Sequence, residues 1–189
     1  MPDEPVESTP INLSDSPFDV ADAAIDLRRA QEVAVTEFEL ESLLERDTTG
    51  DPAIFRIVAR RNAAGDLTYL VSIFDQDDLD FGVANVIVDA QTSIGNIHPN
   101  RSPITSELPP NPLDVNNSVI SDTDLQATAI AAVGSGEVNR IVVIANPAGR
   151  VIYVVRVAAD GVYHDVTIDG NTGSVLNVNQ VVDTTQDED

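Results

Sequence analysis

Two stretches of this chain repeat each other, and no other feature of the sequence constrains its fold as much. Asn62-Ala-Ala-Gly65-Asp-Leu-Thr-Tyr69-Leu-Val-Ser-Ile73 aligns without a gap with Asn146-Pro-Ala-Gly149-Arg-Val-Ile-Tyr153-Val-Val-Arg-Val157, an offset of 84 residues. Arg56-Ile57-Val58 meets Arg140-Ile141-Val142 at the same offset. Val86-Ile-Val-Asp89-Ala-Gln-Thr92 meets Val166-Thr-Ile-Asp169-Gly-Asn-Thr172 at offset 80, so the first copy holds four extra residues in between. Upstream, Asp26-Leu27 meets Asp124-Leu125 at offset 98. Several matches in one order, with short gaps, read as a tandem repeat.

Each copy carries the same succession of patterns. Ser121-Asp-Thr-Asp124 resembles a capping box and opens a helix that Gly134 can close. The first copy has a longer helix, about 21–46, with Leu27, Ala30, Ala34 and Phe38 along its apolar side. Asn62–Gly65 and Asn146–Gly149 read as hairpin turns, and Asp160-Gly161 as another. After the turns, Leu67, Tyr69, Val71 and Ile73 alternate toward one face, as do Val151, Tyr153, Val155 and Val157. The expected fold class is α+β: two repeats, each one helix followed by a three- to four-strand antiparallel meander. The opposite sheet face carries Leu70 and Phe74 in the first repeat and Ile152 and Val154 in the second, which makes it a candidate partner-binding surface.

The repeats span 21–98 and 119–181. Residues 1–20 are acidic and proline-bearing and read as a disordered tail; 99–118 have the composition of a proline-rich linker; 182–189 form a second acidic tail. The formal charge is −22, from 32 acids and ten arginines, with no lysine. The first repeat contributes −9, the tails −5 and −4, the second repeat −3 and the linker −1. So negative a chain is a poor match for nucleic acid or anionic membranes. The charge excess fits a salty habitat, where screening shortens self-repulsion, and equally fits cation capture. There is no cysteine, hence no disulfide or thiolate site. No apolar run suffices to span a membrane.

Tyr163-His-Asp-Val-Thr-Ile-Asp169-Gly-Asn-Thr-Gly173-Ser-Val-Leu176, placed after a helix and a meander, resembles the PepSY domain. The first repeat keeps Val88-Asp89-Ala90-Gln91-Thr92 but has Ser93 where the glycine belongs, so its last strand is expected to be irregular. The resemblance implies a non-enzymatic protein, periplasmic or secreted, whose signal peptide has been removed. It implies a protein-binding role, such as inhibition or control of a secreted peptidase, and no required cofactor. Asp169, Thr172 and Gly173 are turn formers on this reading.

Other chemistry is sparse. His98 and His164 have no dyad partner by spacing, because His164 and Asp165 point to opposite sheet faces. No nucleophile elbow, phosphate loop or zinc-binding motif is present. Asp75, Asp77, Asp78 and Asp80 place four hard oxygen donors close together and suit calcium or a lanthanide. The EF-hand register fails, since Asp80 sits where glycine is needed. Glu37, Glu41 and Glu45 line one helical face and form a possible additional acidic surface. The leading expectation is therefore protein binding. A cation-binding protein using the first repeat is the alternative, and a structural component of an envelope or assembly is the third.

Overall fold

The computed structural model describes residues 13–14, 16–47, 50–104 and 111–181. In chain order its elements are β1 (Leu13–Ser14), α1 (Leu27–Arg46), β2 (Pro52–Asn62), β3 (Leu67–Asp75), β4 (Val83–Asp89), β5 (Gly95–Ile97), α2 (Asp122–Val133), β6 (Glu137–Ala145), β7 (Val151–Ala159), β8 (Val162–Asp169) and β9 (Val175–Val181). Short 3-10 turns lie at Val20–Asp22, Leu79–Phe81 and Val115–Asn117.

Local chemistry sets the helix ends. The Asp26 carboxylate accepts from the Arg29 N–H at 2.8 Å and starts α1. Asp47, left-handed at φ 57°, ends it. The Ser121 hydroxyl accepts from the Asp124 N–H and starts α2, and Gly134 at φ 102° ends it. The two helix starts are also tied together. The Leu27 N–H of α1 donates to the Asp122 carboxylate, the first residue of α2, at 2.9 Å.

Two α+β repeats, each with its own meander, are not what forms. The strands make one continuous antiparallel sheet of nine, in the order β5-β4-β3-β2-β6-β7-β8-β9, with β1 also paired to β2. The molecule is dominated by that sheet. Its physical reason lies in the leading strands: a separate meander would leave one edge of β2 and one of β6 without partners. Instead they pair with each other, Ile57 opposite Val143, Val58 opposite Val142 and Ala59 opposite Ile141. Under the sequence offset of 84, Ile57 becomes Ile141 and Ala59 becomes Val143, so each pair maps onto a pair of the same ladder. The junction is self-complementary about Val58 and Val142, as an isologous dimer contact would be.

Both helices lie on one face. α1 rests on β2 to β5 and α2 on β6 to β9. Their apolar sides and that sheet face form one core, which includes Leu27, Ala34, Phe38, Ile57, Tyr69, Val71, Leu125, Ile141, Tyr153 and Val155. The buried Tyr69 hydroxyl donates to the Ile25 carbonyl at 2.9 Å, which satisfies its polar end.

The segments between and before the helices also contribute. Phe18 and Val20 belong to the core, and the Phe18 N–H donates to the Val138 carbonyl at 2.8 Å. The expected tail over 1–20 therefore stops short of Phe18. Leu113 and Val115 are core residues within the expected linker over 99–118, and Val115 N–H donates to the Gln31 side chain. Residues 1–12 and 15, residues 105–110 and the tail 182–189 lie outside the described residues. β5 is three residues long against seven in β9. Ser93 holds the left-handed conformation, φ 59°, that Gly173 holds at φ 72°.

Candidate functional site

The sheet face opposite the helices is the surface to consider. Period-two alternation places every second strand residue there. One row crosses it in register: Asn96, Ile87, Leu70, Val58, Val142, Val154, Thr167 and Asn177. The middle of this row is apolar and centres on the β2–β6 junction. Beside it, Ile144 faces Ile152.

Exposure is uneven along the face. Leu70 is 8% exposed and Phe74 4%, so these two predicted contact residues are buried. Ile152 and Val154 are half-buried and reach the surface. Val142 is likewise half-buried, and Ile144 is 36% exposed. The accessible apolar block is thus Val142, Ile144, Ile152 and Val154, on β6 and β7. Sequence reading missed Val142 and Ile144. The signal was available for Val142, which aligns with Val58 and follows Arg140-Ile141 at the repeat offset.

Charge on this face is nearly balanced, unlike that of the chain as a whole. Its strand residues include Arg56, Arg60, Arg140 and Arg156, against Asp89, Glu137, Asp165 and Asp169. Arg156 holds Asp165 through two bonds of 2.8 Å, a fork geometry that fixes both side chains. Arg140 approaches the same carboxylate at 3.7 Å. Arg150, with a side chain 56% exposed, pairs with Asp169 at 3.1 Å. Asp169 also accepts from the Asn171 N–H, and its own N–H donates to the Ser174 carbonyl. Asp89 accepts from Gln91 N–H, Thr92 N–H and the Thr92 hydroxyl. Burial raises the Asp89 pKa, but these three donors outweigh it and hold the group below the usual carboxylate range.

The predicted acidic residues lie elsewhere, around Phe81. Asp75 is 1% exposed and accepts from the Asp51 and Asp77 N–H groups at 2.9 and 3.0 Å. Arg46 reaches Asp75 at 2.6 Å and Asp78 at 3.1 Å. Burial raises the Asp75 pKa, yet the Asp51 N–H, Arg46 and the Asp77 N–H together bring it below normal. Asp77 and Asp80 are exposed. Of the predicted quartet, then, only Asp75 and Asp78 converge, and they converge on an arginine. Arg101 pairs with Glu41 and lies 3.6 Å from Glu45. Burial raises the Glu41 pKa, with Glu45 adding to it and Arg101 opposing. Glu37 lies instead against Gly95, whose added Cβ would sit 2.7 Å from its side chain. The Phe81 ring is sandwiched between the two guanidinium groups, Arg46 at 3.8 Å and Arg101 at 3.5 Å from its centroid. Phe38 meets it edge-on at 6.0 Å. Among the described residues no group of three or more potential metal ligands converges. Arg101 was not legible as a partner, because 60 residues separate it from Glu41.

No protein-family model matches the chain, and no curated protein matches it in sequence. Its fold is similar to the crystal structure of a "putative lipoprotein" from Clostridium difficile 630. The TM-score is 0.59 at 18% identity, over 84% of this chain and 97% of that one.

Proposed function

We propose that this chain is a non-enzymatic, extracytoplasmic protein-binding module whose open sheet face receives the partner. One observation carries the reading: Val142, Ile144, Ile152 and Val154 form a half-exposed apolar block opposite both helices, with Arg140, Arg150 and Arg156 around it. An apolar centre with a charged rim is the anatomy of a protein interface. Those arginines are held by Asp165 and Asp169 of the same face, so the rim offers both signs of charge and the apolar centre sets the chemistry of the partner. The likeness to a protein named as a lipoprotein supports an extracytoplasmic address. The resemblance of residues 163–176 to PepSY supports a secreted peptidase as the class of partner.

The test is binding of the full chain to a purified secreted metallopeptidase, followed by interferometry and by peptidase activity. Ile152→Ser with Val154→Ser is expected to weaken binding by roughly tenfold or more, since each truncation of a central contact costs about 1–2 kcal/mol. Unchanged affinity in that variant would move the site off this face. No binding by the unmodified chain at high micromolar concentration would remove the peptidase as partner.

A further inference from the structure

The sheet ends on two very different edges. At one end β5 has three residues, Pro99 follows it, and the chain returns so that Ser102 pairs with Val83 on β4, just before Pro103. Short strands and prolines are the usual protection of an edge. At the other end β9 runs for seven residues, Val-Leu-Asn-Val-Asn-Gln-Val, with no charge, no proline and no glycine. It pairs with β8 on one side and, among the described residues, is the last strand of the sheet on the other. Val175, Leu176 and Val178 are 40%, 56% and 39% exposed. α2 packs over β7, β8 and β9 and leaves the short side chains of Ala127, Ala131 and Ala132 exposed. Among the described residues no strand takes the outer backbone donors and acceptors of β9, and α2 packs beside that strand.

We propose that β9 is a second docking element, which accepts an extended segment of a partner protein as a tenth strand. This is strand addition, in which backbone hydrogen bonds supply affinity and alternate side chains supply selectivity. Charge identifies the occupant. The residues that follow β9 include Asp183, Asp187, Glu188 and Asp189, and the whole chain carries −22. A second copy would bring an equally acidic body and tail to the same edge. A segment with an uncharged, β-branched centre and lysine or arginine flanks meets no such repulsion, and its flanks are attracted. The inference is independent of the open-face reading, because it uses a strand edge in place of a sheet face.

The probe is a synthetic peptide of alternating valine and threonine flanked by lysines, titrated into the full chain by fluorescence anisotropy. Two further peptides carry N-methyl groups on alternate backbone nitrogens, one set for each strand edge. The parent is expected to bind and to slow amide exchange in 175–181. One N-methylated peptide should bind roughly tenfold more weakly, as two or so backbone hydrogen bonds at about 0.5–1.5 kcal/mol each would require. Glutamate flanks should abolish binding. Ile152→Ser with Val154→Ser should leave peptide affinity unchanged, which separates this site from the open face. Equal affinity of parent and both methylated peptides would overturn the proposal, as would protection outside 175–181. Dimerisation through β9 in the absence of peptide, seen by sedimentation, would overturn it in favour of a second copy.

Discussion

At the residue scale, two positions show how far a single side chain can be read. Ser93 stands where the second half has Gly173, and it accepts the same left-handed backbone, φ 59° against 72°. A non-glycine residue there costs about 1–2 kcal/mol. Ser93→Gly is therefore expected to raise the unfolding free energy by about 1 kcal/mol in urea titration; a loss of stability would show that the serine side chain compensates. This departure was visible in the sequence, because an aligned glycine marks what the turn needs. Asp75 was not legible in the same way. In sequence it belongs to a run of carboxylates that suits a cation, whereas in the fold it is buried against Arg46 and two backbone N–H groups. Asp75→Asn keeps the shape but removes the counter-charge, and is expected to cost about 1–3 kcal/mol. An unchanged urea midpoint would contradict the structural role of this carboxylate.

At the element scale, the two helix starts form a coupled unit. Asp122 caps α1 from α2, and burial pushes its carboxyl up to about 6, with Asp26 adding to the shift and the Leu27 N–H and Arg28 opposing it. A raised carboxylate pKa means that the folded state holds a proton which the unfolded state has already lost. This contribution is fully present below about pH 4, the ordinary value, and is lost as pH rises through about 6. Asp75, Asp89 and Asp114 act in the opposite sense, since their lowered values contribute stability above the ordinary range that disappears as pH falls. Asp122→Asn retains an acceptor for the Leu27 N–H and is expected to flatten the pH dependence between 4 and 6 without destabilising the protein at pH 7. An unfolding free energy at pH 7 lower by more than about 1 kcal/mol would show that the charge itself holds the helix starts. The ends of α2 were legible from Ser121 and Gly134, and the strand faces from period-two alternation, since both depend on residues a few positions apart; the start of α1 was not, because the helix expected from about residue 21 begins at Leu27, behind the Asp26 cap. The β2–β6 pairing was not. It joins residues more than 80 apart, and alternation says which face a residue takes but not which strand lies beside it.

At the scale of the whole molecule, the charge of −22 sits mainly away from the open face, where arginines and acids nearly cancel. Self-repulsion therefore works against the compact state without being needed for the face itself. Raising salt to about 1 M, where the screening length is about 3 Å, is expected to raise the melting temperature. A steady fall would show that ion pairs such as Arg101 with Glu41 and Glu45 outweigh the repulsion. The repetition is a property of the sequence, and at its offset Ile57 aligns with Ile141 and Tyr69 with Tyr153, all four buried in the structure. What it could not convey is that the related strands complete one another. The sheet runs unbroken from β5 to β9 only because β2 and β6 fuse the two halves at Val58 and Val142, while its accessible apolar block lies on β6 and β7. Native-state hydrogen exchange across that junction tests this most directly. If the sheet is continuous, the amides of residues 57–59 and 141–143 exchange only through global unfolding, with the same free energy as the core of β3 and β7. Exchange of either set through a separate, lower-energy opening, while the other half stays protected, would contradict it.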